Sequence, residues 1–559
     1  MMRGPNSFSH QCGGGSDASS IATASDEKLA ALGSNIRALL VWPVMARSFW
    51  SPERLPGSRE ASQIPPLGLL TIAALCPERW TLRLVDEQVE PLLDEYLQEA
   101  DLVMVSGMQL QRNAIRRILQ RARAFGKRTL VGGPYASSEP EALLPFADHV
   151  VIGEPDAVFP QIASWLENGT APHRIEITEK PDMTAGPVPR FDLLKIDRYA
   201  TMAIQFSRGC PFQCEFCDII TIYGRVPRTK EPAQVLRELD RLYELGWRKP
   251  VFIVDDNFIG NHKRALVLVE HLEEWSRARG FPFLFVTEAS MNLAQQPALL
   301  DAMVKANFFG VFVGIESASA ESLKETKKFQ NVRTDPIAAI RLIQEKGLWV
   351  TGGFIIGFDS DTEEIFDLQR EFVERAAIPW AMLGFLQAPP TTPLYRRMQQ
   401  QGRLLADDYT TNFSPPNFRT ALPRRVLISR FRETLLALYE PSAYFARVLR
   451  SLDHWQPHGQ KAPATPVWAL LKLALAILWR DGILWKHRKH WWTYLWRTRR
   501  LRNDATTRYW AFGLLALARH FISHAADVAR ELESRLAEGQ EEQLVWKALP
   551  EVVQISRRS

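Results

Sequence analysis

Three of the five cysteines in this 559-residue chain lie within eight residues, Cys210-Pro-Phe-Gln-Cys214-Glu-Phe-Cys217. The spacing C-x3-C-x2-C places three thiolates on one tight loop. That is enough to hold three irons of a [4Fe-4S] cluster and leave the fourth iron open to a substrate. A closed zinc site would want four ligands, and no fourth Cys or His is adjacent, the nearest histidines being His173 and His262. The other cysteines, Cys12 and Cys76, make no secreted disulfide framework, so a reducing compartment is expected. The N-terminus carries Arg3 but no apolar run, so no secretory signal is read and the cytoplasm is the expected location.

A ligand loop needs a frame to hold it. Strand-like runs alternate with helix-period segments on both sides of the cysteines, the pattern of parallel sheets with crossover helices. Upstream, Ile36–Val41, Leu82–Val85, Leu102–Ser106, Thr129–Val131 and Val150–Ile152 predict a Rossmann-like sheet whose small-residue loops lie at the carboxyl ends of the strands. Downstream, runs at Ala203–Ser207, Val251–Val254, Phe283–Thr287, Val311–Ile315, Val350–Ile356 and Met382–Leu386 give six β-α steps, read as a partial barrel. The expected division is a flexible leader over 1–34, a Rossmann-like domain over 35–180, a Pro-spotted linker over 181–198, a partial (β/α)6 barrel over 199–420 and a mostly helical region over 421–559. The fold class is therefore α/β with a helical C-terminus.

The cysteine spacing after the first strand of such a barrel, with Gln205-Phe-Ser-Arg-Gly209 leading in and Phe216 before the last cysteine, resembles the radical S-adenosylmethionine (SAM) superfamily. The resemblance implies that Cys210, Cys214 and Cys217 hold the cluster while the methionyl amine and carboxylate of SAM chelate the open iron. It also implies a SAM site built from Phe216, from Asp255, Asp256 and Asn257 after the second strand, and from Glu288 after the third. Glu316 near the ribose, and Gly352 and Gly357 on the adenine side, complete it. By themselves the carboxylates could equally be helix caps or helix-start charges.

A Rossmann-like unit ahead of this barrel resembles the cobalamin-binding subclass, and the layout from Ile36 to about Leu405 resembles a subgroup containing hopanoid and bacteriochlorophyll side-chain methylases. The implied corrinoid contacts are Pro66 and Gly68 in the first crossover, Ser106, Gly107, Met108 and Gln109 after the third strand, Gly132 and Gly133 after the fourth, and Gly153 and Glu154 after the fifth. The D-x-H-x-x-G motif that supplies a histidine to cobalt in other cobalamin proteins is absent. Only His149 and His173 lie between Asn35 and the cysteines. Arg225, Arg228 and Lys230 follow the cysteines and either fix that loop, meet an anionic group or face solvent.

The resemblance implies a methyltransferase acting on an unactivated carbon, where no acidic proton or lone pair helps a general base. The expected cofactors are the [4Fe-4S] cluster, SAM and cobalamin, with an electron donor such as flavodoxin or ferredoxin and a small isoprenoid, tetrapyrrole or lipid-like substrate. A radical cyclase that transfers no methyl, and a membrane-docking iron-sulfur redox sensor, are the alternatives. The 68 Lys+Arg against 63 Asp+Glu leave a net charge of only +5, so nucleic acid is not an expected partner. Nine of the 17 Trp follow residue 450, and Arg480–Arg508 interleaves nine Lys/Arg with Trp485, Trp491, Trp492 and Trp496. That texture fits either a helical subdomain with buried Trp or a peripheral membrane contact.

Overall fold

Near-continuous apolar runs such as Ala38-Leu-Leu-Val41 and Leu102-Val-Met-Val105 belong in a parallel sheet covered on both faces. The computed structural model, which describes residues 33–45, 49, 61–332, 335–405, 413–457, 467–499, 501 and 505–537, has them there. Apart from residues 33 and 34, the expected leader lies outside the described residues. Strands β1 (Arg37–Trp42), β2 (Thr81–Asp86), β3 (Leu102–Ser106), β4 (Arg128–Gly132), β5 (His149–Ile152) and β6 (Arg174–Glu176) pair in the order β2-β1-β3-β4-β5-β6, all parallel. Alternate residues feed two cores. Leu39, Val41, Val103 and Val105 pack with Ile115, Ile118 and Leu119 of helix Arg112–Ala124 on one face. Ala38, Leu40, Leu102 and Met104 pack with Leu69 and Phe159 from helices Leu67–Leu75 and Phe159–Asn168 on the other. β6, whose outer residues are exposed, is an edge strand too polar for the apolar pattern to reveal.

The second sheet is built from β7 (Met202–Ile204), β10 (Val251–Ile253), β11 (Phe285–Ala289), β12 (Phe308–Glu316), β13 (Trp349–Ile356) and β14 (Ala381–Phe385). They pair in sequence order, all parallel, with β7 and β14 at the two edges, which makes a partial (β/α)6 barrel. The run expected as one strand over Ala203–Ser207 splits. β7 stops at Ile204, and β8 (Ser207–Arg208) turns away to pair antiparallel with β9 (Arg228–Thr229). The stretch over 181–198 forms three short 3-10 turns that bury Met183 and Phe191. The C-terminal helices share the barrel's core: Phe309 of β12 stacks on Trp510 at 3.9 Å, and Trp349 of β13 meets Trp455 edge-on at 6.0 Å. Helix Ala505–Ala537, 33 residues long, lies along helix Arg424–Leu438.

The two sheets are also joined by a buried polar contact. Tyr199, just ahead of β7, donates to Asp86 Oδ2 at the end of β2 at 3.1 Å, and Gln88 N donates to Asp86 Oδ1 at 2.9 Å. Burial pushes the Asp86 carboxyl up to about 6 despite these donors, from an ordinary value of 3.8. Because the folded value is the higher one, Asp86 favours the fold fully below its unfolded value and loses that contribution as pH rises through about 6. Asp86→Asn should therefore gain on the parent chain by up to roughly 3 kcal/mol between about pH 4 and pH 6.5, and change little above that. Melting temperatures of the two proteins across that range check it, and a pH-independent difference would contradict it.

Candidate functional site

The chain leaves the barrel sheet after β7 because a buried carboxylate at the end of β10 takes its backbone. Asp255 Oδ1 accepts from Phe206 N at 2.8 Å, and Oδ2 accepts from Ser207 N and Ser207 Oγ at 2.8 and 2.6 Å. This turn delivers Gly209 with φ +94°, where an added Cβ would lie 2.9 Å from Gly224 O and 3.1 Å from Val226 O. Only glycine fits, and Cys210 follows with its N–H on Gly224 O at 3.2 Å. The loop's far side is held by Glu215, which receives a two-pronged pair from Arg397 at 2.8 and 3.0 Å. Arg397 also reaches Asp359 at 2.6 Å. Phe216 packs beside Phe358 with ring centroids 6.2 Å apart.

The three thiols are largely withdrawn from water, and burial raises the pKa of each. Cys210 and Cys214 lie close enough to Cys217 to raise it further, so the sulfurs form one electrostatic group. Two side-chain amides point at sulfur: Asn257 Nδ2 at 3.8 Å from Cys210 Sγ, and Gln330 Nε2 at 3.8 Å from Cys214 Sγ. The Lys328 cation lowers both of those thiols. Among the described residues no three His, Cys, Asp or Glu side chains close on a single ion. A cluster asks for a different geometry, with each thiolate meeting its own iron, and three neighbouring thiols, one buried and two half-buried, with amide donors on two of them, fit that demand.

Facing this loop, the carboxyl ends of β10, β11 and β12 gather acidic groups. Burial, then the charges of Asp255 and Asp218, push Asp256 up to about 7, and its Oδ2 is buried without a hydrogen-bond partner. Glu288 keeps part of its surface open, yet burial and the neighbouring Asp256, Asp255 and Glu316 push it up to about 8. Glu316 is held at φ +67°, a strained conformation for a residue with a side chain, and is ion-paired with Lys328. Asp256 and Glu288, held up by burial and by neighbouring acidic charges, fit a cationic, hydrogen-bond-donating ligand. The ammonium and hydroxyls of SAM are of that kind. Asp255 differs from the rest, since both its oxygens are committed to the Phe206–Ser207 backbone. Asn257 is likewise tied, Oδ1 accepting from Ser290 N and Oγ at 3.2 Å.

The barrel glycines divide by cause. A Cβ on Gly352 would meet Ile315 at 2.9 Å, so that position serves packing between β12 and β13. A Cβ on Gly357 would meet Leu386, Pro416 and Thr420 in ordinary contact at 3.7 Å, but the residue sits at φ +115°, with its N–H and that of Phe358 on Asp361 Oδ2 at 2.8 and 3.0 Å.

At the first sheet the expected corrinoid residues stand at or just past the carboxyl ends of the strands, with Pro66 just before and Gly68 in the first turn of helix Leu67–Leu75. Pro66 is buried, Gly68 faces open space, Met108 is exposed and Gln109 donates to Glu139. Ser106 and Gly107 close β3, with Gly107 tight against Gln111, while Gly132 ends β4 in ordinary contact with Val151. A Cβ on Gly133 would land 2.3 Å from Ser106 Oγ, and one on Gly153 2.2 Å from Ile177 O, at φ values of +88° and +97°. Neither histidine is on this rim. His149 opens β5 at the opposite end of the strand with Nδ1 on Pro172 O at 2.8 Å, and His173 Nδ1 is on Asp148 O at 2.8 Å.

Glu154 is placed differently from its neighbours. It is buried, and its oxygens meet Arg208 Nη1 at 2.9 Å and Arg228 Nη2 at 2.7 Å. Arg208 also pairs with Asp156 at 2.8 Å. Arg208 lies two residues before Cys210, so this cluster of charges ties the first sheet's loops to the lead of the cysteine loop. Arg228 and Lys230 thus act inside the fold, the latter paired with Glu238, while Arg225 is exposed. The sequence reading gives no role to Lys328, Gln330 or Arg397, and names Arg208 only as part of the Gln205–Gly209 lead-in. Lys328 sits in Lys324-Glu-Thr-Lys-Lys328, a run that reads as a solvated face, and Arg397 lies 182 positions from its partner Glu215.

Residues 58–163 match the B12 binding domain, 204–371 the Radical SAM superfamily and 392–534 a domain of unknown function (DUF4070). The chain is 40% identical over 514 residues to an uncharacterized methyltransferase of Synechocystis sp., covering 89% of this chain and 92% of that one. It is 35% identical over 510 residues to the hopanoid C-2 methylase of Rhodopseudomonas palustris, covering 88% and 94%. In fold it is similar to the cobalamin-dependent S-adenosylmethionine radical enzyme OxsB, solved with aqua-cobalamin and S-adenosylmethionine, at a TM-score of 0.56, 16% identity and 90% and 81% coverage.

Two outcomes test this site. Glu154→Ala leaves Arg208 and Arg228 without their buried partner and should lower stability by about 3 kcal/mol, read by thermal or denaturant unfolding, with Glu154→Gln milder. Gln330→Leu removes a donor that favours added negative charge on cluster sulfur, so the reconstituted cluster's reduction potential should move to more negative values. Potentiometry followed by electron paramagnetic resonance reads the shift, and an unchanged or more positive potential would refute the assigned donor role.

Proposed function

The chain belongs to the cobalamin-binding radical SAM methyltransferases, and from that footing we propose that it methylates an unactivated carbon of a hydrophobic polycyclic isoprenoid of the hopanoid kind. The observation that carries the substrate class is the likeness to the hopanoid C-2 methylase, which runs through all three regions of the chain rather than the cofactor domains alone. When bound, the cluster with SAM supplies a 5′-deoxyadenosyl radical for hydrogen abstraction and the corrinoid supplies the methyl group. Cys210, Cys214 and Cys217 would hold the cluster, and the amides of Asn257 and Gln330 would steady the thiolate charge. Asp256, Glu288 and Glu316 ring the open side of the loop as acceptors for the ammonium and ribose hydroxyls of SAM. The corrinoid residues at the first sheet's rim keep the roles given by family likeness, except that Glu154 positions the cysteine loop through Arg208. A low-potential donor of the flavodoxin or ferredoxin kind would supply the electron, and the cytoplasmic side is the proposed location.

The test is anaerobic turnover of the reconstituted enzyme with hydroxocobalamin, reductant, methyl-deuterated SAM and a bacterial triterpenoid extract. Labelled triterpenoid should accumulate with S-adenosylhomocysteine and 5′-deoxyadenosine in equal amounts, since the substrate gives one hydrogen and gains one methyl. Cys214→Ala should abolish 5′-deoxyadenosine formation and labelling. Label appearing in a tetrapyrrole instead would overturn the substrate class, and 5′-deoxyadenosine with substrate consumed but unlabelled would overturn methyl transfer.

A further inference from the structure

The helices that follow residue 466 present an apolar surface that no other described residue covers. Helix Val467–Ile477 and the π-helical turn Leu478–Ile483 carry Trp468, Leu471, Leu475 and Trp479 at intervals of three, four and four, one stripe along a helical face. These side chains are 70%, 60%, 66% and 61% exposed. Ile483 and Leu484 extend the stripe at the turn. Exposed Trp492 joins it to helix Arg488–Thr498 through an indole N–H bond to Gly482 O at 2.9 Å, with Trp496 one turn further on. The inward side of the same segment is a true core: Ile477, Trp485, Trp491 and Tyr494 are buried. The segment is therefore well packed, and its outward Trp and Leu are not the result of a missing fold.

Charge decides what covers this face. Between 467 and 499 the sequence has seven Lys/Arg and a single acid, Asp481. That acid is buried and neutralised by Arg480 at 2.5 Å. Lys472, Lys486, Arg488, Lys489, Arg497 and Arg499 are all exposed beside the apolar stripe. An apolar band edged by exposed cations that pair with no acid among the described residues, with tryptophans among its exposed members, matches the boundary between acyl chains and anionic headgroups. At 11 residues, helix Val467–Ile477 spans only about 16 Å, and among the described residues no helix is long and apolar enough to cross a membrane. We propose that this face docks the protein on an anionic lipid bilayer, lying in the headgroup plane with Trp468, Leu471, Leu475 and Trp479 as the inserted side chains. The proposal stands on this surface and not on the identity of the methylated substrate.

Flotation of the full chain with vesicles tests it without any substrate present. Binding is expected to equimolar phosphatidylglycerol and phosphatidylcholine vesicles at low salt, weaker to phosphatidylcholine alone, and reduced by about 0.5 M NaCl. Trp468→Ser with Leu475→Ser and Trp479→Ser should lower partitioning at least tenfold, while circular dichroism and 5′-deoxyadenosine production stay unchanged. Lys486→Glu with Lys489→Glu should remove most of the preference for phosphatidylglycerol. Failure of the parent chain to float with anionic vesicles, or equal binding by the triple-serine variant, would overturn the proposal. So would a parent dimer in light scattering that the triple-serine variant converts to monomer without any loss of vesicle binding, because a second copy would then be what covers the face.

Discussion

A single buried carboxylate sets the geometry on which the site depends. Asp255, at the end of β10, accepts the N–H groups of Phe206 and Ser207 and so pulls the chain off the sheet one step after β7. A continuing strand would have carried Arg208 and the cysteines along the barrel wall. The turn instead sends Arg208 toward the first sheet, where Glu154 and Asp156 receive it, and presents Cys210 at the barrel mouth. Burial pushes Asp255 up to about 6 even with these donors around it, which reflects how far from water the contact lies. The Phe206 and Ser207 N–H groups need an acceptor in a region that water does not reach, and Asp255 supplies it.

From that turn one requirement is met directly. The corrinoid and cluster domains must face one another at fixed distance, and the Glu154–Arg208–Arg228 cluster fixes the loop of one against the lead-in of the other. The barrel mouth also crowds acids beyond what they satisfy among themselves. Asp256 and Glu288 are raised toward neutrality, and Glu316, at a positive φ, is ion-paired with Lys328. A purely structural network would pair every buried group, and Asp256 Oδ2 is buried without a partner.

The tryptophans of the C-terminal helices divide into two sets. Trp455, Trp485 and Trp491 pack inward and complete the core that begins in the barrel, with Phe309 and Trp349 as its contacts. Trp468, Trp479, Trp492 and Trp496 face outward among basic side chains. Counting Trp and Arg along the chain cannot separate these two sets, because burial of each depends on which helix lies against it.

The sequence by itself determined the chemistry and the order of the parts. Cys210, Cys214 and Cys217 are local in the chain, so their spacing is legible without a fold, and the alternation of apolar runs identified two parallel sheets and a helical tail. What only the tertiary structure decided are the contacts between residues far apart in sequence. Asp255 and Glu154 read as ligand-facing carboxylates, yet their partners, 48 and 54 residues away, make them supports of the cysteine loop. Gln330, 116 residues from Cys214, and Arg397, 182 from Glu215, carry no local signal at all. Ligand spacing is written over a few positions, whereas the pairing of buried charges is set by where strands and loops end in space.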